Sequence, residues 1–455
     1  MIQTLVIFGA SGDLTSRFLM PAIVRLHEEG KLPEGFRVLG IAQDDWNQEK
    51  FRSHLKEKLA ASGTVGVSGL RETILGKIDY CRADVTNRDQ LAQALSRVTG
   101  PLVAYLALPP ALFAPSIESL VALKLPKGSK VVLEKPFGEN LKSAQSLNRL
   151  LHESFPEQDV FRLDHFLGKQ TVQNILGLRF ANRIFEPVWS THHIERVEII
   201  WDETITAAGR ASFYDATGAL RDMIQNHLLQ LLALVAMEPL HALDERTLRD
   251  HKVAVLRAVR RLEPDEVGRQ TVRGRYTKGV IGGKEIPSYV EESGVRVERH
   301  TETFAQVTLA IDNWRWAGVP FVLRTGKALG RDRREITIHF KSVPHLAFGQ
   351  DAQPVPNRLS IELSPDRIAL SVNVNEPGDL CKLDCIELDK PFPSVGLPAY
   401  ARLLVDILEG DPTLSIRDDE AEESWRIVEP ILQVWREGGV PLIEYAAGSD
   451  GPVRL

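Results

Sequence analysis

Cysteine is scarce in this sequence: three in 455 residues, at Cys81, Cys381 and Cys385. An odd, sparse set is no disulfide framework, so a reducing compartment, the cytoplasm, is expected. Cys381 and Cys385 stand four apart, but their surroundings offer no second ligand pair, and no metal site is expected there or elsewhere. Net positive charge is also missing, since 55 Lys and Arg stand against 61 Asp and Glu for a formal charge of −6. That leaves no electrostatic footprint for nucleic acid or an anionic membrane surface. No apolar run approaches the ~18 residues of a spanning helix. The opening MIQTLVIFGASG lacks a basic flank and turns quickly to glycine, which does not read as a signal peptide. Internal repeats, low-complexity linkers and long charge blocks are lacking too.

What is present is an ordinary globular composition, 43% hydrophobic and 25% charged, on a chain long enough for two to four domains of ~150 residues. The first ~160 residues alternate β and α patterns, which predicts a parallel sheet with helices on its faces. Thr4 to Phe8 is an apolar run ending in glycine, as a strand buried on both faces should be. Val38 to Ala42, Leu102 to Leu108 and Lys130 to Leu133 are further strand candidates. Pro21 suits the first turn of a helix reaching Glu29, so an irregular turn is expected between Gly12 and Met20.

Beyond residue ~160 the texture changes. Helical spacing from Gly168 to Phe180 and an apolar helix from Leu220 to Met237 stand among period-two runs around Val197, Phe304, Ile336, Leu359 and Ile368. That pattern predicts a largely antiparallel sheet with one face covered by helices. A late helix over 417–437 has Ser415 and Asp418 in capping-box spacing, with Pro430 expected to kink it. The reading is therefore two domains: 1–160, a Rossmann-type dinucleotide-binding domain, and 161–455, an α+β domain with a large, mostly antiparallel sheet.

Five strings carry chemistry. Gly9-Ala10-Ser11-Gly12-Asp13-Leu14 follows the first strand, where glycines let backbone N–H groups approach a pyrophosphate; an ordinary βα turn reads the same way. At the end of the second strand, an acid binds a ribose hydroxyl and an Arg accepts the phosphate of NADP. Here stand Gln43, Asp44 and Asp45, which leans to NAD unless these are only solvated loop residues. Glu134-Lys135-Pro136-Phe137-Gly138 ends the fourth strand candidate, where a lysine can reach both nicotinamide and substrate; Lys135-Pro136 is a candidate cis peptide, and the bland alternative is a surface lysine. Asp164-His165-Phe166-Leu167-Gly168-Lys169 offers an acid and two phosphate partners, or a helix start capped by Asp164. His227, in Asp222-Met223-Ile224-Gln225-Asn226-His227, lies on the most apolar helix. It is a packed core residue unless a carboxylate orients it. On α-helical spacing Asp222 falls on a different face.

FGASGDL, YLALPP, EKPFG, RLDHFLGK, RDMIQNHLLQLLALVAME and RTGKAL occur in this order, as they do in glucose-6-phosphate dehydrogenases, and the chain resembles that family over nearly its whole length. The resemblance implies oxidation of C1 of glucose 6-phosphate to the 6-phosphogluconolactone, the first step of the oxidative pentose phosphate pathway, with hydride passing to NAD or NADP. It implies His227 as general base, Asp164 as the carboxylate that orients it, and Lys135 near C1 and the nicotinamide. His165 and Lys169 match phosphate ligands, Glu203 and Asp222 match sugar-hydroxyl partners, and Lys327 of RTGKAL matches a substrate-side lysine. The cofactor set is Gly9, Ser11, Gly12, Asp13, Leu14, Gln43 and Lys135. The large sheet implies a homodimer or a dimer-based homotetramer.

Four positions depart from the family pattern. Phe18 stands where a lysine is expected, Phe166 where the family has tyrosine, Gln43 where NADP users have Arg, and Asp450 replaces an aromatic or basic residue. A lost donor to a charged phosphate costs about 1.5–3 kcal/mol. Either Arg17 compensates, or the chain is a dehydrogenase of another aldose or sugar phosphate, or a non-catalytic sugar-phosphate-binding paralogue.

Overall fold

The structure is a computed structural model that describes residues 1–61, 68–348, 354–392 and 397–453. The chain divides into unit 1, residues 1–170, 241–250 and 396–422, and unit 2, residues 171–240, 251–395 and 423–455.

Unit 1 is built on six parallel strands: β1 (Thr4–Phe8), β2 (Arg37–Ala42), β3 (Ile78–Arg82), β4 (Leu102–Leu106), β5 (Lys130–Glu134) and β6 (Val160–Leu163). Their order, β3-β2-β1-β4-β5-β6, is that of a Rossmann sheet. Leu5 to Phe8 and Leu102 to Leu106 are all buried, because helices cover both faces. The irregular turn expected before Met20 is a π-helical segment, Thr15–Leu19, which runs into the helix Met20–Glu28 with Pro21 in its first turn. Two segments from late in the sequence pack into this unit. One brings the helix Ala399–Glu409, whose Leu403, Leu404 and Ile407 join the core of β1 and β2. The other end of that segment corrects the capping assignment for the helix Asp418–Arg436, which runs through Pro430. The Ser415 hydroxyl accepts the Arg162 N–H at 2.9 Å, while the Arg417 N–H turns to Glu420 Oε1 at 3.2 Å. Ser415 ties the segment to β6 and does not cap the helix.

Unit 2 holds β7 (Ile194–Asp202), β8 (Thr271–Thr277), a small hairpin of β9 (Gly279–Ile281) and β10 (Lys284–Ile286), then β11 (Phe304–Leu309), β12 (Phe321–Gly326), β13 (Arg333–Phe340), β14 (Arg358–Leu363), β15 (Asp366–Asn375), β16 (Leu383–Pro391) and β17 (Leu442–Ala446). Nine of these form one sheet in the order β16-β15-β14-β13-β7-β12-β11-β8-β17. It is mostly antiparallel, with β7–β12 and β8–β17 paired in parallel. The apolar stretch expected from Leu220 is a π-helical segment, Leu220–Leu228, continued by the α-helix Leu229–Ala236. The last carbonyls of a helix lack partners inside it, and here they are met from outside. Arg179 donates to Leu234 and Met237 at 3.1 and 2.8 Å, Trp189 Nε1 to Val235 at 2.8 Å, and Trp316 Nε1 to Ala236 at 2.7 Å. Burial draws the Arg179 guanidinium down to about 10, yet a cation at a helix C-terminus is favourably placed.

Candidate active site

In unit 1 the chain leaves β1 through a turn that only glycine can make. Gly9 has φ +83°, and a Cβ there would come 2.3 Å from the Ala107 carbonyl oxygen. The N–H groups of Gly9 and Ala10 donate to the Ile41 carbonyl at 2.8 and 3.1 Å, which pins the turn to β2. Ser11, Gly12, Asp13 and Leu14 form its accessible crest at the carboxyl end of β1, where open α/β sheets take their ligands. A cradle closed to any Cβ fits a dinucleotide pyrophosphate.

Beside it, Gln43, Asp44 and Asp45 are exposed at the end of β2. Ser11 Oγ donates to Asp44 Oδ2 at 2.5 Å. Arg82, the last residue of β3, donates Nε to the Gln43 carbonyl at 3.2 Å and pairs with Asp45 at 2.8 Å. The sequence reading looked for an Arg on β2 and missed this one, because β3, IDYCR, is too polar to read as a strand.

Lys135 follows β5, and the Lys135–Pro136 peptide is cis. Glu134 before it is buried and accepts the Tyr105 hydroxyl at 2.5 Å. Burial pushes the Glu134 carboxyl up to about 7, against the opposing hydrogen bond from Tyr105. Asp164 is buried just after β6 and accepts the Phe166 N–H at 2.9 Å, holding a tight turn in which the Leu167 N–H returns to the Asp164 carbonyl. That turn brings three side chains into contact. The Lys169 ammonium lies 4.5 Å above the Phe166 ring, and His165 meets the same ring edge-on at 5.0 Å. His165 also stacks on Tyr400, 5.8 Å away and 10° from parallel. Gly168 permits the approach, since a Cβ there would sit 2.7 Å from the Ala399 carbonyl oxygen. Phe18 packs on Tyr400 at 5.3 Å and Arg17 lies 6.0 Å from the Phe18 ring, so the lost lysine is replaced by aromatic packing. Tyr400 was invisible in the sequence, being remote from every motif.

In unit 2 the parallel register does the positioning. Gly326 of β12 faces Asp202 of β7, so the next residues, Lys327 and Glu203, emerge side by side. Their Nζ and Oε2 atoms are 2.7 Å apart. The Lys327 ammonium also lies 5.3 Å from the ring of buried Tyr214, whose phenol is raised by burial first and by the nearby charge of Asp222 second. Glu203, Lys327 and Asp222 are thus gathered around Tyr214, a residue the sequence reading did not single out. His227 is fully buried on the Leu220–Leu228 segment, and its N–H donates to Asn226 Oδ1 at 2.6 Å. The separation of faces expected for Asp222 and His227 is corrected by the π-helical path. In a helix bonded i→i+5, residues five apart lie one turn above each other on the same side. Asp450 contributes its backbone, the carbonyl accepting from Arg324 at 2.6 Å.

A Rossmann-ordered sheet with a glycine-only first turn, and a second unit whose buried helix carries a histidine and an acid while its strand ends carry a lysine and another acid, define a nicotinamide-dinucleotide dehydrogenase. Two family descriptions cover almost the whole chain: glucose-6-phosphate dehydrogenase, NAD binding domain, over residues 6–174, and glucose-6-phosphate dehydrogenase, C-terminal domain, over 176–455. The chain belongs to the glucose-6-phosphate dehydrogenase family. It is 41% identical to the glucose-6-phosphate 1-dehydrogenase of Treponema pallidum, covering 98% of this chain and 92% of that one, and 40% identical to that of Gluconobacter oxydans, covering 98% and 94%. Among solved structures it is similar to a Mycobacterium avium glucose-6-phosphate 1-dehydrogenase (35% identity, TM-score 0.88, 99% of this chain and 95% of that one). It is also similar to a glucose-6-phosphate dehydrogenase in complex with its substrate glucose 6-phosphate (32% identity, TM-score 0.90, 99% and 95%).

Proposed function

We propose that the chain oxidises C1 of glucose 6-phosphate to the 6-phosphogluconolactone, with His227 as general base and Asp164 as the carboxylate that orients it. The observation that carries the reading is a buried histidine on a helix whose π-helical turn also presents Asp222, beside the Lys327–Glu203 pair. The hydride leaving C1 is taken up by the nicotinamide when the cofactor is bound. Loss of hydride builds positive charge at C1 unless the hydroxyl proton departs with it, and a neutral imidazole is suited to take that proton. A carboxylate partner stabilises the imidazolium that results. Glu203, Asp222 and Lys327 hold sugar hydroxyls, His165 and Lys169 hold the phosphate, and Lys135 stands between sugar and nicotinamide. Gly9, Ser11, Gly12, Asp13, Leu14 and Gln43 hold the dinucleotide. In this reading residues 1–160 bind dinucleotide and 161–455 bind substrate.

NAD is the preferred cofactor, because Gln43 and two acids follow β2. Arg82 supports some use of NADP, as a guanidinium that a 2′-phosphate could draw from Asp45. The Arg82→Ala variant should lower kcat/KM for NADP by about tenfold and leave NAD nearly unchanged. The free thiols of Cys81, Cys381 and Cys385 fit a cytoplasmic setting, and among the described residues no helix is long and apolar enough to cross a membrane. The nine-stranded sheet, with Leu388 and Ile386 exposed on β16, is the proposed dimer surface, which light scattering of the purified protein tests. Steady-state assays crossing glucose 6-phosphate, galactose 6-phosphate, glucosamine 6-phosphate and glucose with both cofactors test the reaction. Faster turnover of any other sugar than of glucose 6-phosphate would sink the substrate assignment, and a strong NADP preference would sink the cofactor assignment.

A further inference from the structure

Unit 2 contains a cavity of about 710 Å³ that shares none of the residues assigned above. Its volume lies in the range of small-molecule sites, roughly 300–1,000 Å³. Arg221, Arg273, Arg299 and Arg436 line it. Among the described residues, no carboxylate lies within salt-bridge distance of Arg221, Arg273 or Arg436, and their hydrogen bonds go to backbone oxygens. Arg273 is 8% exposed and donates Nε to the Val440 carbonyl at 2.9 Å, with its guanidinium 5.8 Å from the Trp435 ring. Arg221 donates Nη1 to the Ala216 carbonyl at 3.1 Å, while its Nε is buried with no partner. Arg436 donates Nε to the Leu432 carbonyl at 3.2 Å and is otherwise exposed.

The acids of the cavity answer these charges only in part. Asp215 is occupied by the Tyr289 hydroxyl, the Arg296 N–H and Arg299, at 3.1, 3.2 and 3.3 Å. Glu302 accepts the Leu220 N–H at 3.0 Å, and burial raises its carboxyl while the nearby charges of Arg221 and Arg273 draw it down. Glu298 is exposed. A buried cation with too little opposing charge is costly, and burial lowers the Arg273 guanidinium against the opposing charge of Glu302. A bound anion offsets that cost, and guanidinium groups match phosphate oxygens in geometry as well as charge.

We propose that this cavity binds a phosphate- or diphosphate-bearing small molecule, with Arg221 and Arg273 inside it and Arg436 at its edge as the anion ligands. The probes are inorganic pyrophosphate and glycerol 3-phosphate, titrated calorimetrically into the whole protein without glucose 6-phosphate or cofactor, in a Lys169→Met background that disables the proposed substrate phosphate site. One site per chain is expected. Arg436→Ala, at an exposed position, should weaken it by about tenfold or more while kcat and KM for glucose 6-phosphate stay unchanged. Arg221→Gln should do the same to the probe, with its melting temperature confirming the fold. Binding of pyrophosphate only would mark a diphosphate ligand, and binding of both a phosphate monoester. Absence of binding at millimolar probe, equal affinity in both variants, or displacement of the probe by NAD or NADP would overturn the proposal.

Discussion

Lys169 in unit 1 and Lys327 in unit 2 are both proposed as substrate-side cations, and the contacts around them differ in kind. Lys169 rests 4.5 Å above the Phe166 ring, while Lys327 lies 2.7 Å from a Glu203 oxygen. An aromatic face attracts a cation by roughly 0.5–1 kcal/mol but accepts no proton and takes up no charge. A carboxylate at hydrogen-bond distance does both. The Phe166 contact therefore orients the lysine without itself neutralising it, which suits capture of a phosphate dianion. The Glu203 contact makes a neutral pair of donors and acceptors, which suits sugar hydroxyls. The lesson is that Phe166, a loss when counted in hydroxyl groups, is a ring platform when seen with its neighbours.

If His227 performs the proton transfer and Lys169 only holds phosphate, variants should divide between kcat and KM. The largest effect is expected for His227→Ala, a fall in kcat of about 10²–10⁴ with cofactor affinity, read by fluorescence titration, near that of the parent. A KM effect without a kcat effect would remove His227 from the chemistry. Next comes Glu134→Gln in unit 1. A carboxyl raised to about 7 when folded stabilises the fold below its unfolded value near 4.5, and that contribution disappears as pH climbs through about 7. Denaturation between pH 4.5 and 8 should show the parent losing on the order of 3 kcal/mol relative to the variant. Parallel curves would refute the buried, proton-retaining Glu134. Lys169→Met should raise KM for glucose 6-phosphate roughly 10- to 150-fold, the cost of one charge-assisted bond, with little change in kcat. The smallest effect tests the platform itself: Phe166→Tyr should lower that KM by about fivefold if the phosphate lacks a donor there, and no change would mean the ring already suffices.

Much of the fold was legible because its strands are apolar. β1, β2, β4 and β5 stand out as buried runs, and β13 to β15 as alternations. β3, β8 and β16 carry charges at nearly every turn, so periodicity is silent on them, and with β3 went Arg82. The family strings supplied His227, Asp164, Lys169 and Lys327, but not what those side chains touch. Tyr400 reaches His165 from a helix more than two hundred residues further along the chain, and no local pattern encodes that contact. Tyr214 enters through sheet register, since only the β7–β12 pairing reveals that Glu203 and Lys327 are neighbours. The π-helical segment is the subtlest omission. Its sequence reads as an ordinary apolar helix, and the wider turn decides which side chains share a face.

The donors that close the helix after Leu234 have a consequence for His227 as an object in motion. Three side chains from separate parts of unit 2, Arg179, Trp189 and Trp316, grip one end of the rod. The histidine sits about 14 Å back along it, at 1.5 Å per residue. The rod's first residue is tied as well, the Leu220 N–H donating to Glu302 at 3.0 Å, so the rod that carries His227 is fastened at both ends. The imidazole is thereby indexed along the axis to two indole rings.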